Sequence, residues 1–383
     1  MRKQLEPTGF SGLLRRAILP ITVILWGIVV ISRMKFNGGI LGFDYSIYQP
    51  DGANYAFRAL SLLSQSDLSA ANQVSSWYQL YGYKHNIINP LTLLPENSPV
   101  WHLSAPRVLY PILSIPFVSI LGIPGMLVIP SLSLLGIMLI AHKIAKTFGA
   151  PELGLFFNLG LACSTTVSRW FIANLTDGLL ALLVGLLIIV ELKVHKKKSW
   201  IFLTTGIVLL ASATRFCAPI FIALGIGYFI LKERNKALTL LISGVSGAIP
   251  LFFFDTASAI LPGSESRSLI SKILAFPVQS LKVLFVEFAE LVVLDRQFFL
   301  LVILSLFCAL MAKGRIRILT FSVLFGVFTI GFINGTLGVN FRYQLPIIPF
   351  MAWSFISYFN SFLGFRRELN VVGEEAKKKL KPR

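Results

Sequence analysis

At about 150 residues per soluble domain, a chain of 383 residues would divide into two or three domains. Its composition excludes that: 55% of residues are hydrophobic, 14% are charged and the mean hydropathy is +0.75. A soluble domain is about 25% charged, so this chain cannot clothe a globular surface with polar groups, and disorder and coiled coil fail for the same reason. The formal charge of +18 would suggest nucleic acid in a soluble protein. Here the apolar residues come in blocks separated by short Lys/Arg clusters, which is how a polytopic helical membrane protein reads.

The first predicted span covers 17–32, preceded by Arg15 and Arg16. Ser32-Arg33-Met34-Lys35 follows it in place of a small-residue cleavage site, so it reads as an uncleaved anchor. A polar and aromatic stretch over 33–106 is far longer than an ordinary connection and forms a first outer loop. Residues 107–121 are predicted as a juxtamembrane helix and 125–141 as a span, broken at Gly122 and Pro124. Further spans are predicted at 153–171, 176–192, 200–214, 216–231, 237–254, 297–312, 318–333 and 345–363. An amphipathic stretch over 255–296 forms a second outer loop, and 364–383 is a basic, solvated tail. The fold class is therefore all-α, a single transmembrane domain over 1–363 with about ten crossings.

Charge distribution orients it. With an even number of spans both termini share a side, and that side holds 23 of the 35 basic residues, from Arg2 through Lys143, Lys193, Lys232 and Arg315 to the tail. The other side has 12 basic residues with ten of the 17 acids. Basic residues in short loops mark the cytoplasm, so both termini are expected there and both long loops outside. The bacterial plasma membrane is preferred to the endoplasmic reticulum. The basic excess is accounted for by topology and contact with membrane lipids, and no nucleic-acid partner is expected. Cys163, Cys217 and Cys308 lie within or beside apolar runs and read as small core residues.

Functional residues should be outer-face polar groups that topology does not require. In Tyr48-Gln-Pro-Asp-Gly-Ala-Asn-Tyr55, turn residues lead into a helical pattern and place Asp51 at a helix N-cap. It is either a simple cap or a carboxylate held at the membrane surface as a general base or metal ligand. Arg107 precedes Val-Leu-Tyr-Pro where the chain re-enters the membrane. Asp177, in Asn174-Leu-Thr-Asp-Gly178, again reads as an N-cap. Arg215 lies at a hairpin tip, and Arg342-Tyr343-Gln-Leu-Pro346 opens the last span. Three arginines at outer span ends call for an anion, either a phospholipid headgroup or a lipid-linked phosphate. His85 and His102 read as loop surface. Trp77, Tyr78, Tyr81, Tyr83 and Trp101 either stack on sugar or form an interfacial belt.

The order, spacing and sidedness of Asp51, the Arg107-Val-Leu-Tyr-Pro-Ile-Leu run, Thr176-Asp177-Gly178 and Arg342-Tyr343-x-Leu-Pro resemble the GT-C superfamily of membrane glycosyltransferases, including its mannosyl- and aminoarabinose-transferase branches. The resemblance implies transfer of a sugar from a polyprenyl- or dolichyl-phosphate carrier to a glycan, lipid or protein acceptor, with inversion. It implies Asp51 as general base, with Arg107, Arg342 and then Arg215 on the phosphate, and Tyr343, Asp177, Tyr55 and His102 around the substrate. The family's first-loop motif is often Asp-Glu or Asp-Asp, whereas this chain has Asp51-Gly52. Asp44 and Glu96 are the remaining candidates beside Asp51 for a divalent metal such as Mg or Mn. A lipid or lipid-linked-sugar transporter is the rival reading, disfavoured because the span centres are nearly free of charge. A non-catalytic scaffold is the third, and a zinc peptidase lacks its His-Glu-x-x-His.

Overall fold

The computed structural model describes residues 10–35, 48–63, 66–81, 88–98, 106–258, 285–286, 288–289, 291–334 and 342–379. Among them every regular element is helical and no strand occurs. After α1 (Phe10–Lys35) come two short helices, α2 (Pro50–Leu62) and α3 (Asp67–Tyr81), and then α4 (Leu109–Leu121). The bundle continues with α5 (Val128–Thr147), α6 (Pro151–Ala162), α7 (Thr165–Ile172), α8 (Asp177–Lys193), α9 (Lys197–Ser212), α10 (Ala218–Ile230) and α11 (Arg234–Ser258). It closes with α12 (Arg296–Met311), α13 (Arg315–Asn334) and α14 (Ile348–Lys379). The predicted tail is thus helical as far as Lys379, as an extension of α14.

Helix α8 is the axis of the bundle. Its sequence is apolar all round, which suits a helix with neighbours on every side, and it is buried along almost its whole length against α5, α9 and α14. Around this centre α10 packs on α11 and α13, α5 on α6, and α12 on α14. The short helices α2 and α3 pack on each other and α2 on α4, beside the α8 N-terminus.

Among the described residues three stretches are long and apolar enough to cross a membrane: Arg16–Met34, Ile123–Thr147 and Leu345–Gly364. α7 and α8 qualify together but are bent by 103° at their junction. α4, α10 and α12 are apolar and shorter.

The local chemistry explains the breaks. Gly122 takes φ 65°, ψ −152° between α4 and the 3-10 turn Ile123–Leu127, a conformation that glycine adopts at no steric cost. The predicted span 153–171 is two helices, because Ser164 leaves the helix and caps α7 by accepting the Val167 amide at 2.9 Å. Buried Asp295 locks that break: it accepts from Ser164 Oγ at 2.7 Å and from the Thr166 amide at 2.8 Å while capping α12 through the Phe298 amide at 3.1 Å. Cys217 and Cys308 are buried as expected, whereas Cys163, in the same break, is exposed.

Candidate functional site

The N-terminal end of α8 collects the polar residues that the sequence scatters over nearly 300 positions. Asp177 is not the N-cap; Thr176 is, and Asp177 opens the first turn with a side chain only 3% exposed. It is neutralised from two directions. Arg215, from the α9–α10 connection, pairs with Oδ1, and Arg342 Nε donates to Oδ2 at 2.9 Å. Both arginines are buried, so Arg215, though at the α9–α10 turn, does not face water. The ring of Tyr343 stacks under Arg215, with the guanidinium carbon 4.2 Å from the ring centroid. Trp170, at the end of α7, lies 5.7 Å from the Arg342 guanidinium.

Arg342 also reaches outward, its Nη1 lying 2.9 Å from Asp51 Oδ2. Asp51 sits one residue inside α2, with Gln49 rather than Asp51 at the N-cap, and its side chain is 57% exposed. One guanidinium thus bridges a buried carboxylate and an accessible one. Burial disfavours the Arg342 cation, but the facing Asp177 and Asp51 charges outweigh it and hold its pKa above the ordinary arginine value.

One turn along α2, on the face of Asp51, lies Tyr55. Its hydroxyl accepts from Arg107 Nη1 at 2.9 Å, and its ring meets Tyr110 edge-on at 5.5 Å. The Leu109 amide donates to the Ala213 carbonyl at 3.1 Å, which ties the Arg107 segment to the loop carrying Arg215. Arg107 Nε is buried and has no hydrogen-bond partner among the described residues, and neither does the Thr176 hydroxyl. These five charged groups comprise three guanidinium cations and two carboxylates, one surplus positive charge among the five.

Asn174 fixes α2 to the bundle. Its Oδ1 accepts the Gln49 amide at 3.0 Å, and its Nδ2 donates to the Tyr78 hydroxyl. This packing accounts for the glycine after Asp51, since a Cβ at position 52 would run into the Asn174 amide. An Asp-Asp or Asp-Glu pair has no room here. Tyr48, Trp77, Tyr78 and Tyr81 pack as an aromatic group beside the site, with Trp77 and Tyr81 centroids 4.4 Å apart. Burial pushes the Tyr48 phenol up to about 12.

The structure brings together Asp51, Tyr55, Arg107, Asp177, Arg215, Arg342 and Tyr343. Glu96 is exposed and in none of these contacts. Asp44, His85, His102, Tyr83 and Trp101 lie outside the described residues. Sequence reasoning did not find Trp170, Tyr110 or Gln49, nor the bridging roles of Asn174 and Tyr78; these are ordinary aromatic and amide residues whose roles depend on tertiary packing. For a divalent cation the described residues offer no group of three or more His, Cys, Asp or Glu, and Asp51 Oδ2 is already engaged by Arg342. No protein family matches this chain, and neither a curated protein nor a solved structure does.

Proposed function

We propose that the chain is a polytopic membrane enzyme of about ten crossings and that the Asp177 end is the active centre of a GT-C-like glycosyltransferase. It would move a sugar from a polyprenyl-phosphate carrier to a hydroxyl acceptor on the face opposite the lysine-rich loops. The observation that carries this reading is the joined set of charges. One accessible carboxylate, Asp51, is held by an arginine that is itself fixed by a buried aspartate, next to a guanidinium whose Nε has no partner among the described residues. An ion-pair staple needs neither an exposed acid nor a surplus cation.

The roles follow from the contacts. Asp51 takes the acceptor hydroxyl's proton as the oxygen attacks the anomeric carbon. The bond from that carbon to the phosphate oxygen breaks, and the electron pair leaves with the lipid phosphate, inverting the sugar centre. The departing phosphate gains negative charge, which the surplus cation meets through Arg107. Arg342 and Arg215 are positioning residues in this scheme, because Asp177 already occupies them. That alters the order expected from sequence, in which Arg342 ranked with Arg107 on the phosphate. No step is routed through a metal.

The test is transfer by the purified full-length protein in lipid nanodiscs supplied with polyprenyl-phosphate sugars. Wild type should release polyprenyl phosphate at a rate that Asp51→Asn abolishes without lowering the melting temperature. Equal rates for the two proteins would remove Asp51 from the chemistry.

A further inference from the structure

The opposite end of α8 holds a second feature, independent of catalysis. A cavity of about 470 Å³ opens where α9 and α11 begin, beside the α10–α11 turn. Its lining includes Lys197, Lys232, Arg234 and Lys236, against one acid, Glu233, with Trp200 and Ile201 on the apolar side. Lys236 is already committed, its Nζ lying 2.9 Å from both Glu191 Oε2 and Glu233 Oε2. Lys197, Lys232 and Arg234 have no acidic partner among the described residues and are exposed.

Helix electrostatics make this arrangement unfavourable while the cavity holds only water. Both α9 and α11 start here with basic residues and no acid in the first turn, and Lys196 at the α9 N-cap makes no side-chain capping bond. Lysines at a helix N-terminus add to the positive end of the dipole, and two such termini with free amides form an anion site. The turn is held in place by the Glu233 amide on the Tyr228 carbonyl at 2.9 Å, with Lys232 at φ 62°. Trp200, a buried wall residue, is fixed by Nε1 donation to Glu191 Oε2 at 3.2 Å. Beside the cavity, exposed Leu238, Ile242 and Val245 form a stripe at helical spacing along α11, with exposed Phe202 on α9. Charge at the mouth and apolar side chains along the wall match an amphiphile.

We propose that this cavity binds a phosphate-bearing anion, the headgroup of an anionic phospholipid whose acyl chains lie along the α9–α11 face. Free phosphate shares the recognition chemistry, and the experiment separates the two sources. The full-length protein in neutral detergent is titrated with phosphatidylglycerol, with phosphatidylcholine of identical chains and with inorganic phosphate. Saturable binding of phosphatidylglycerol but not phosphatidylcholine is expected. The pair Lys232→Gln and Arg234→Gln should weaken it by on the order of ten-fold, as should Lys197→Gln to a smaller degree, with melting temperatures unchanged. Removing the same charge on α5, with Lys143→Gln and Lys146→Gln, should change nothing. Displacement of the lipid by millimolar phosphate would assign the site to the free anion; failure to displace it assigns the site to the lipid. Equal binding of the two lipids, or equal loss from the α5 pair, would overturn the proposal.

Discussion

Helix α8 carries a buried acid at each end, Asp177 and Glu191, about 21 Å apart at about 1.5 Å per residue. The two are satisfied differently. Glu191 takes Lys236 at 2.9 Å, Arg315, the Tyr228 hydroxyl at 2.8 Å and the Trp200 indole, while Glu233 pairs with the same Arg315 and Lys236. Two acids face two bases, and the network closes on itself; the cations at that end with no acidic partner among the described residues stand outside it, around the cavity. At Asp177 the network does not close among the described residues. It has three guanidiniums for two carboxylates, one carboxylate in water and one Nε unspent. A closed network holds helices together, whereas the Asp177 set is left open among the described residues.

Substitutions at five positions break or sharpen this contrast. Asp51→Asn should cost the most, lowering the transfer rate by about 10²–10⁴-fold, the usual worth of a general base. Its melting temperature should move little, for a loss of about 1 kcal/mol or less, since Asp51 is 57% exposed and Arg342 keeps its buried partner Asp177. Asp177→Asn should do the reverse of a selective active-site change, leaving Arg215 buried without a counter-charge and Arg342 with only the exposed Asp51, at a cost of about 3–5 kcal/mol in unfolding free energy. Adding Arg215→Met to that background should recover part of the loss, measured by denaturant or thermal unfolding in detergent. Glu191→Gln should cost less, about 1.5–3 kcal/mol, the worth of its charged hydrogen bonds. Its partners Lys236 and Arg315 keep 26% and 40% exposure and can be solvated in place. A cost equal to that of Asp177→Asn would erase the distinction between the two ends. Gly52→Ala should cost about 1–3 kcal/mol from overpacking, with Gly52→Asp worse, because the Asn174 amide must move and α2 with it.

Much of the site was legible because a charge is conspicuous in so apolar a chain. Asp51, Arg107, Asp177, Arg215 and Arg342 all stand at the ends of apolar runs, and hydropathy placed those ends on one face. Which charge meets which was not legible. The pairing of Arg215 with Asp177, 38 residues away, follows from how α8, α9 and α10 cross, and nothing local encodes it. Both aspartates read as N-caps, yet each lies one or two residues inside its helix, because Thr176 and Gln49 take the capping positions. The Glu191 network was missed altogether, since its lysines and arginines served only to mark a membrane side. One signal was available: Glu191 is an acid in the last turn of an otherwise apolar helix, beside Lys193. The break at Ser164 was hidden because apolar residues continue through it, and its cause, Asp295, lies 131 positions away. Gly52 shows the opposite, a residue whose reason becomes intelligible only beside Asn174.

The central claim is that Arg107, whose Nε has no hydrogen-bond partner among the described residues, receives a lipid phosphate at the Asp177 end. The direct measurement is equilibrium binding of polyprenyl phosphate, without sugar, to wild type, to Arg107→Gln and to the Lys232→Gln, Arg234→Gln pair. With the other site saturated by phosphatidylglycerol, the account predicts at least about a ten-fold loss for Arg107→Gln and wild-type affinity for the pair. Unchanged affinity in Arg107→Gln, with the loss falling instead on the pair, would place the lipid phosphate at the other end of α8 and contradict the proposed active centre.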